Sequence, residues 1–282
     1  MPPFAASIPS PSRGVVELGP LELHAYGLML ALGVLVAATI VERRYTRWGG
    51  EPRTITEIAI PVVAGGVIGA RVYHLFTGYD WSRGGVVGAL KIWEGGLSIW
   101  GAVGGGLVAV VVVARLRRLD ALMLVDAIAP GLAVAQAIGR WGNWFNQELF
   151  GRPTDLPWGL EIDLEHRPER YRAEGTFHPT FLYESIWCLL VAGTVLLAER
   201  RLRLRKGQAF AVYVAMYTFG RVFFEALRVD PATEVFGVRF NLLVSAALCV
   251  LGMFLYVWWG RRSPEAPSAH RPRDAVGVPT DV

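Results

Sequence analysis

Charged side chains occur within strongly apolar stretches of this 282-residue chain. A charge at bilayer depth costs at least ~2.5–3.5 kcal/mol on insertion scales, so each one requires a partner or a function. Arg221, Glu225 and Arg228 are spaced four and three residues apart, which predicts that they share one face of a helix. Two guanidinium groups beside one carboxylate suit two roles equally: a salt bridge that locks neighbouring helices, or a site that keeps positive charge for an anion.

A second polar cluster lies in residues 139–151, where Arg140, Asn143, Asn146 and Glu148 alternate with aromatic residues. An arginine, two amides and a carboxylate are able to hold a polar headgroup while the aromatic side chains contact its acyl chains. The same composition is also typical of an aromatic anchor at the membrane interface. Both interpretations place the segment at a membrane boundary.

Three further side chains are candidates for moving a proton: His24, His178 and Glu184. A lone histidine is more often structural, whereas Glu184 lies one turn inside an apolar stretch. Tyr26 and Tyr217 each offer a hydroxyl to a polar ligand. The sequence has no H-x-x-x-H, no C-x-x-C and no dense carboxylate cluster, so it predicts no metal site and no cofactor. It also lacks the G-x-S-x-G motif of a serine hydrolase.

The overall composition indicates a membrane protein. Apolar residues make up 53% of the chain and charged residues 18%, against ~25% in an average soluble domain, and the mean hydropathy is +0.37. The net charge of +4 comes from cations beside apolar runs, which argues against a nucleic-acid partner. Cys188 and Cys249 lie inside apolar runs, so a disulfide framework is not expected.

The polar residues depend on helices to position them. A helix needs about 20 residues to cross the hydrocarbon layer of a membrane. The stretches that fit this length and composition are 21–41, 58–76, 97–114, 121–139, 180–198, 208–227 and 240–259. Because backbone hydrogen bonds must close internally in lipid, we predict an all-α polytopic membrane protein with seven transmembrane helices.

Arginines concentrate at alternate ends of these stretches, after the first, third, fifth and seventh. Because basic loops stay on the cytoplasmic side, the N-terminus is predicted outside and the C-terminus in the cytoplasm. The predicted organisation has a disordered segment at 1–20, a transmembrane domain at 21–260 with an outward-facing arm at 140–179, and a disordered tail at 261–282. The glycine-rich residues 95–106 are expected to pack closely against another helix.

Residues 139–151, GRWGNWFNQELFG, resemble the signature of bacterial prolipoprotein diacylglyceryl transferases. Four more segments are similar to that family in order and spacing: AYGL at 25–28, EGGLS at 94–98, HPTFLYE at 178–184 and YTFGRVFFEALR at 217–228. The resemblance implies a seven-helix enzyme of the bacterial cytoplasmic membrane, active towards the outer leaflet. It implies transfer of the diacylglyceryl group of phosphatidylglycerol to the lipobox cysteine of a prolipoprotein, forming a thioether and releasing glycerol 1-phosphate.

The resemblance also implies roles for individual residues. Arg140 and Arg221 match the family's essential arginines, which bind the phosphate and act in catalysis. The substrate-binding residues implied by the same match are Arg140, Tyr26, Asn143, Asn146, Glu148, Gly151, Glu225 and Arg228. The implied partners are phosphatidylglycerol, prolipoprotein signal peptides with a lipobox cysteine, and the lipid bilayer.

One position departs from the family. Many members carry a histidine in the segment after EGGLS, where this chain has Trp100. The base that activates the thiol is therefore open between His24 or His178 and the positive field of Arg140 and Arg221, which favours a thiolate electrostatically. Two other classes of protein fit the composition. One is an organic-anion transporter, for which the sequence has no inverted repeat, and the other is a lipid-binding scaffold that has lost its base.

Overall fold

The structure, a computed structural model, describes residues 7–18, 21–77, 79, 81–92, 96 and 98–266. Helices dominate these residues, and short strand pairs and turns connect them. The helices are α1 Ala25–Arg47, α2 Thr54–Thr77, α3 Trp81–Leu90, α4 Ile99–Leu116, α5 Ala121–Phe145, α6 Thr180–Arg201, α7 Gln208–Leu227 and α8 Phe240–Arg262. The strands are β1 Val15–Leu18, β2 Leu21–His24, β3 Leu160–Glu161, β4 Thr176–Phe177, β5 Glu234–Val235 and β6 Val238–Arg239. They pair antiparallel as β1–β2, β3–β4 and β5–β6.

Six of the described helices are long and apolar enough to cross a membrane: α1, α2, α5, α6, α7 and α8. In addition, α4 carries a shorter apolar stretch, Gly101–Leu116. Large apolar side chains on these helices are exposed, among them Leu35, Ile60 and Phe76, as expected for surfaces that face lipid. The prediction of an all-α polytopic membrane protein is thereby confirmed.

The start of the first span differs from the sequence prediction. The prediction begins this span at residue 21, but Leu21–His24 form β2 and α1 begins at Ala25. The reason is that β2 pairs with β1 along its whole length, with Val15 opposite His24. His24 therefore lies in a strand pair before the helix.

The end of the fourth span differs as well. The prediction ends it at residue 139, but α5 continues to Phe145 and does not stop at the internal Pro130. In this extension Trp141 packs edge-on against Phe181 of α6, and Trp144 stacks on the same ring. The extra turns place the first half of the 139–151 signature on a helix that is packed against its neighbour.

The chain divides into two compact units, of which one is Glu42–Val125 and the other comprises Met1–Val41 and Asp126–Val282. In the first unit, α2 and α4 pack through glycines. A Cβ atom on Gly69 would lie 2.4 Å from the carbonyl oxygen of Gly101, and one on Gly105 would lie 2.3 Å from that of Gly65. The helix backbones thus touch, which confirms the close packing expected for the glycine-rich segment.

In the other unit, α5 to α8 enclose a core to which small and aliphatic residues contribute, including Ala129, Ala133, Val191 and Val195. Asp126 of α5 is fully buried, and its carboxylate accepts hydrogen bonds from the backbone N–H groups of Gly207 at 2.7 Å and Phe210 at 2.9 Å. A carboxylate at a helix N-terminus satisfies free N–H groups and complements the helix dipole. Asp126 therefore fixes the start of α7.

The arm predicted at residues 140–179 begins later, because residues 140–145 belong to α5. Residues 146–179, which we call the arm, are folded. Strands β3 and β4 pair within it, and two short 3-10 turns, Leu164–His166 and Glu169–Tyr171, lie between them. Its apolar side chains form a separate cluster together with Phe181 and Val229: Phe150, Leu160, Ile162 and Phe177. This core gives the arm a stable shape beside the helix ends.

The predicted terminal segments contain residues that pack on the protein. Ile8 adds to the arm as a parallel bridge beside Leu160, and Pro9 accepts a hydrogen bond from the Trp144 indole at 3.1 Å. At the other end α8 continues to Arg262, and the Ala266 N–H donates to the Leu204 carbonyl at 3.0 Å. The remainder of these segments, residues 1–6, 19–20 and 267–282, lies outside the described residues.

Candidate active site

Three helices bring one glutamate between two arginines. Arg140 of α5 places Nη2 2.8 Å from Oε2 of Glu184 in α6, and Arg221 of α7 places Nη1 2.7 Å from the same oxygen. The Glu184 side chain is only 4% exposed, whereas those of Arg140 and Arg221 are 18% and 15% exposed. The buried carboxylate therefore holds both guanidinium groups while part of each stays accessible.

The series of ion pairs continues from Arg221 to the end of α7. Arg221 Nη2 lies 2.6 Å from Oε2 of Glu225, whose side chain is 0% exposed. The same carboxylate accepts hydrogen bonds from Arg228 at 3.3 Å, Arg239 at 2.9 Å and Asn241 at 3.3 Å. A buried charge is tolerated only when it is paired and hydrogen-bonded, and Glu225 meets this condition on both oxygens.

Asp230 is the last carboxylate of the series and lies in the loop after α7. It accepts two hydrogen bonds from Arg228, at 2.7 and 2.8 Å, and one from Arg239 at 3.1 Å. Burial raises the pKa of Asp230, but the hydrogen bonds from Arg228 and the charges of both arginines outweigh burial and hold the pKa below its ordinary value. Asp230 is therefore ionised at neutral pH.

These residues form one connected set, the arginine network: Arg140, Arg221, Arg228, Arg239, Glu184, Glu225 and Asp230. Its guanidinium groups outnumber its carboxylates, so one positive charge is not balanced inside the network. Every contact of Arg140 within the described residues uses Nη2, which also lies 3.4 Å from the Tyr217 hydroxyl. Nε and Nη1 of Arg140 are available to a ligand.

A narrow cleft opens beside the network and is lined by Glu184, Trp187, Cys188, Tyr217, Arg221 and Phe224. Most of these side chains are aromatic or weakly polar. Charge interactions are stronger in such surroundings than in water because the local dielectric is lower. An ion pair that involves Arg221 in this cleft is therefore stronger than the same pair in water.

The signature segment ends α5 with a polar turn. Asn143 and Asn146 both donate to Oε1 of Glu148, at 2.8 and 3.3 Å. Gln147 and Leu149 have positive φ angles of 50° and 60°, a conformation that costs energy for residues other than glycine. Such a turn persists only where its surroundings hold it.

The arm supplies the groups that hold this turn. The Gln147 side chain donates to the Asp163 carboxylate at 2.6 Å and accepts from the Asp163 N–H at 2.8 Å. The Thr180 hydroxyl donates to the Leu149 carbonyl at 2.5 Å. The signature, the arm and the start of α6 therefore form one hydrogen-bonded assembly.

Gly151 connects the arm to the end of α7. Its N–H donates to the His178 carbonyl at 3.0 Å, and a Cβ atom at this position would lie 2.7 Å from the Cβ of His178. The next residue, Arg152, donates its N–H to the Leu227 carbonyl at 2.9 Å. A side chain at Gly151 would push the arm away from the residue that directly precedes Arg228.

Tyr26 lies against the helix that carries Arg140. A Cβ atom on Gly142 would come within 2.5 Å of the Tyr26 ring, so the ring packs directly on the α5 backbone. The phenol group also lies within electrostatic range of Glu148 and Arg140. The structure thus brings Tyr26 together with the signature segment.

The predicted proton carriers are only partly brought together. Glu184 is in the arginine network, but His24 is exposed at the end of β2 and, within the described residues, has no hydrogen bond or ion pair to that network. The His178 ring interacts through Nδ1 with the Tyr183 hydroxyl at 3.2 Å, and burial lowers the pKa of His178. The side chain of Trp100, near the start of α4, lies outside the described part of the chain.

Two site features were not foreseen from the sequence. The helix that carries Arg221 and Glu225 ends at Leu227, so Arg228 reaches Glu225 from extended backbone and not from the helix face. Arg239 and Asp230 also belong to the network, although neither is among the site residues predicted from the sequence. The signal in the sequence is Asp230, shortly after the predicted span 208–227, and Arg239, directly before the predicted span 240–259.

Fold and site together define a class: a helical membrane protein with an interhelical network of arginines and carboxylates in which the arginines are in excess. The family model for prolipoprotein diacylglyceryl transferase matches residues 13–258. Among curated relatives, a phosphatidylglycerol–prolipoprotein diacylglyceryl transferase of Frankia alni is 47% identical over 279 residues, covering 98% of this chain and 73% of the relative. One from Streptomyces griseus is 45% identical over 285 residues, covering 98% and 85%. The chain belongs to the prolipoprotein diacylglyceryl transferase family, as the signature predicts.

Proposed function

We propose that this chain transfers the diacylglyceryl group of phosphatidylglycerol to the thiol of a lipobox cysteine in prolipoproteins, the first step of lipoprotein maturation. Family membership and the names of the relatives support the reaction. The observation that carries the proposal is the pair Arg140 and Arg221, held 2.8 and 2.7 Å from one glutamate oxygen with an unbalanced positive charge. Such a pair suits the single negative charge of a phosphodiester.

The reaction exchanges one bond at a primary carbon. The cysteine sulfur forms a bond to the diacylglyceryl carbon, and the bond from that carbon to the phosphate oxygen breaks. The departing glycerol 1-phosphate takes the electron pair, and the thiol proton ends on that phosphate or on solvent. The protein must therefore favour the thiolate and stabilise charge on the leaving phosphate.

Arg140 and Arg221 supply the second requirement. Charged hydrogen bonds from guanidinium groups to phosphate oxygens are short and strong, and they gain strength where water is excluded. In this proposal Nε and Nη1 of Arg140 bind the phosphate while Glu184 keeps both arginines in position. The same positive charge favours a thiolate nearby, which accounts for activity with Trp100 in place of the family's frequent histidine. Roles for Glu184, His24 and His178 as proton carriers stay predictions.

The remaining signature residues bind the substrate headgroup in this proposal. Asn143, Asn146 and Glu148 form one polar turn, and Gly151 allows the arm to approach α7. Tyr26 places a hydroxyl near the same turn. Glu225 and Arg228 complete the binding residues by joining Arg221 to the loop after α7.

We further propose that residues 21–260 cross the membrane seven times: the six long helices each cross once, and α4 provides the additional crossing. Its 18 residues span about 27 Å at 1.5 Å per residue, close to the ~30 Å hydrocarbon layer. The alternation of arginine-rich ends supports an outside N-terminus, a cytoplasmic C-terminus and an arm at the outer leaflet. In this topology the site works on the outer face of the bacterial cytoplasmic membrane.

The direct test is the transfer reaction itself. The purified protein is mixed with phosphatidylglycerol and a lipobox peptide, and mass spectrometry measures the peptide. We expect the mass to increase by one diacylglyceryl group, and we expect no increase when the peptide cysteine is replaced by serine.

Two outcomes would contradict the proposal. Folded protein that binds phosphatidylglycerol but gives no mass increase would indicate a lipid-binding scaffold. Movement of an organic anion into sealed liposomes without any covalent product would indicate a transporter.

A further inference from the structure

Two charged residues between α7 and α8, Asp230 and Arg239, join the arginine network although they lie outside the segments that resemble the family. Arg239 Nε lies 2.9 Å from Oε1 of Glu225, and its Nη2 lies 3.1 Å from Oδ2 of Asp230. Its Nη1 donates to the backbone carbonyl of Asp230 at 2.9 Å. One guanidinium group thus joins a buried helix carboxylate to a loop carboxylate.

The two oxygens of Glu225 have different partners. Oε2 is shared by Arg221 and Arg228, while Oε1 is bound by Arg239 and Asn241. Without Arg239, no cation would contact Oε1, and the charge of Glu225 would act on Arg221 and Arg228 alone. The attraction of Arg221 for a substrate anion would then weaken.

Asp230 has the opposite effect to Arg239, because its negative charge lowers the net positive charge of the site. Its carboxylate is 23% exposed and is paired with both Arg228 and Arg239. Arg228 and Arg239 together therefore serve two carboxylates, Glu225 and Asp230, and the excess positive charge remains at Arg140 and Arg221.

We propose that Arg239 is a positioning residue that, together with Arg228, neutralises Glu225 and Asp230, so that Arg221 keeps positive charge for the anionic phosphate of the substrate. The inference rests on the proposed transferase function and adds a residue outside the signature. Arg239 acts through Glu225 and contacts no reacting atom.

The test measures KM and kcat for phosphatidylglycerol in mixed micelles, with an uncharged lipobox peptide as acceptor. For Arg239→Gln we expect KM for phosphatidylglycerol to rise about tenfold, the order expected for one charge removed at about 10 Å at an effective dielectric of about 20. We expect kcat to change by less than about threefold and KM for the peptide to stay unchanged, because only the lipid is charged.

A double variant separates charge from structure. Asp230→Asn combined with Arg239→Gln restores the excess positive charge, so KM is expected to return to within about threefold of the wild-type value. A purely structural role predicts that the double variant is at least as impaired as Arg239→Gln alone, and that result would overturn the proposal. Arg172→Gln is the matched control, because it removes an arm cation whose pair with Glu169 is exposed. Its KM is expected to equal that of the wild type.

If Arg239→Gln does not fold, Asp230→Asn alone carries the test. This change adds one net positive charge and is expected to lower KM for phosphatidylglycerol several-fold, whereas an unchanged or higher KM would overturn the inference. A wild-type protein that transfers no lipid would refute the proposed function instead, so the two failures are distinguishable.

Discussion

The α2–α4 pair and the α5–α8 region hold their helices together by opposite means. Between α2 and α4 side chains are absent, and Gly69 and Gly101 let the backbones meet. Between α5, α6 and α7 long charged side chains meet instead, with Glu184 bound to Arg140 and Arg221. Glycine contacts stabilise helix association without any charge to desolvate, whereas a buried ion pair often contributes little net stability.

This difference indicates which of the two regions carries the function. A set of buried charges that contributes little to stability requires another reason to be present, and binding an anionic substrate is such a reason. Changes in the arginine network should therefore affect activity more than folding. Changes between α2 and α4 should affect folding more than the activity of the molecules that do fold.

The largest effect is expected for Arg140→Ala. Loss of one preorganised donor to developing charge typically costs ~100- to 1,000-fold in kcat, so transfer to a lipobox peptide should fall by at least about 100-fold. Glu184 keeps its pair with Arg221, so the thermal unfolding temperature in detergent should fall by no more than a few degrees. Mass-spectrometric rates and thermal unfolding of the same preparation measure both quantities.

Arg140→Lys sharpens this test. Lysine keeps the charge, but its donors are all on one nitrogen and it lacks the planar fork with which a guanidinium group binds a phosphate on one side and Glu184 on the other. We expect partial activity between that of the wild type and that of Arg140→Ala. Near-normal turnover by Arg140→Ala would show that the site is assigned to the wrong residues.

A smaller effect, on folding, is expected for Gly69→Ala. Its Cβ atom would lie 2.4 Å from the Gly101 carbonyl oxygen, so α2 and α4 must separate at a typical cost of about 1–3 kcal/mol. We expect a lower unfolding temperature and a lower yield, with specific activity of the folded fraction close to normal. Gly104→Ala in α4 is the matched control, because a Cβ there would meet nothing within 4 Å. Equal stability of the two variants would contradict the glycine-packing interpretation.

Much of this could be predicted from the sequence, for reasons that differ between the parts. Long apolar stretches predict most of the helices, and the 139–151 segment predicts the family, which the family model confirms. The position of Glu184 between two arginines depends on which helix faces touch, and no local pattern encodes that. Arg239 lies 14 residues after Glu225, at the end of the β5–β6 strand pair, so only the folded chain shows their contact.

Helix ends were predicted less well than helix centres. The hydrophobic pattern stops at residue 139, but α5 continues to Phe145. In this extension Trp141 and Trp144 pack against Phe181 of α6. At the start of α1 the reverse holds, since strand pairing with β1 replaces four residues of the predicted helix. In both places tertiary or strand contacts decide a boundary that apolar content leaves open.

The smallest expected effect is on the pH dependence of stability and concerns His178, which lies in the arm and outside the arginine network. Burial lowers the pKa of His178, so the folded protein binds this proton less readily than the unfolded chain does. Stability from this residue is therefore full above the ordinary histidine pKa of about 6.5 and is lost as pH falls through the lower folded value. Acidification from pH 7.5 to 5 should lower the unfolding temperature of the wild type slightly more than that of His178→Gln, by on the order of 1 °C.

His166→Gln is the matched control, since this second arm histidine is exposed and its ring pairs with the exposed Glu165. The acid sensitivity of His166→Gln should equal that of the wild type, and equal sensitivity of His178→Gln would contradict the burial argument.

The variant His178→Gln also decides between two roles for His178. A structural residue that holds Tyr183 leaves transfer at pH 7.5 nearly unchanged on substitution, whereas a proton carrier gives a loss of ~100-fold or more. A large loss would place part of the chemistry in the arm, and the separation between a folded arm and a reactive arginine network would no longer hold.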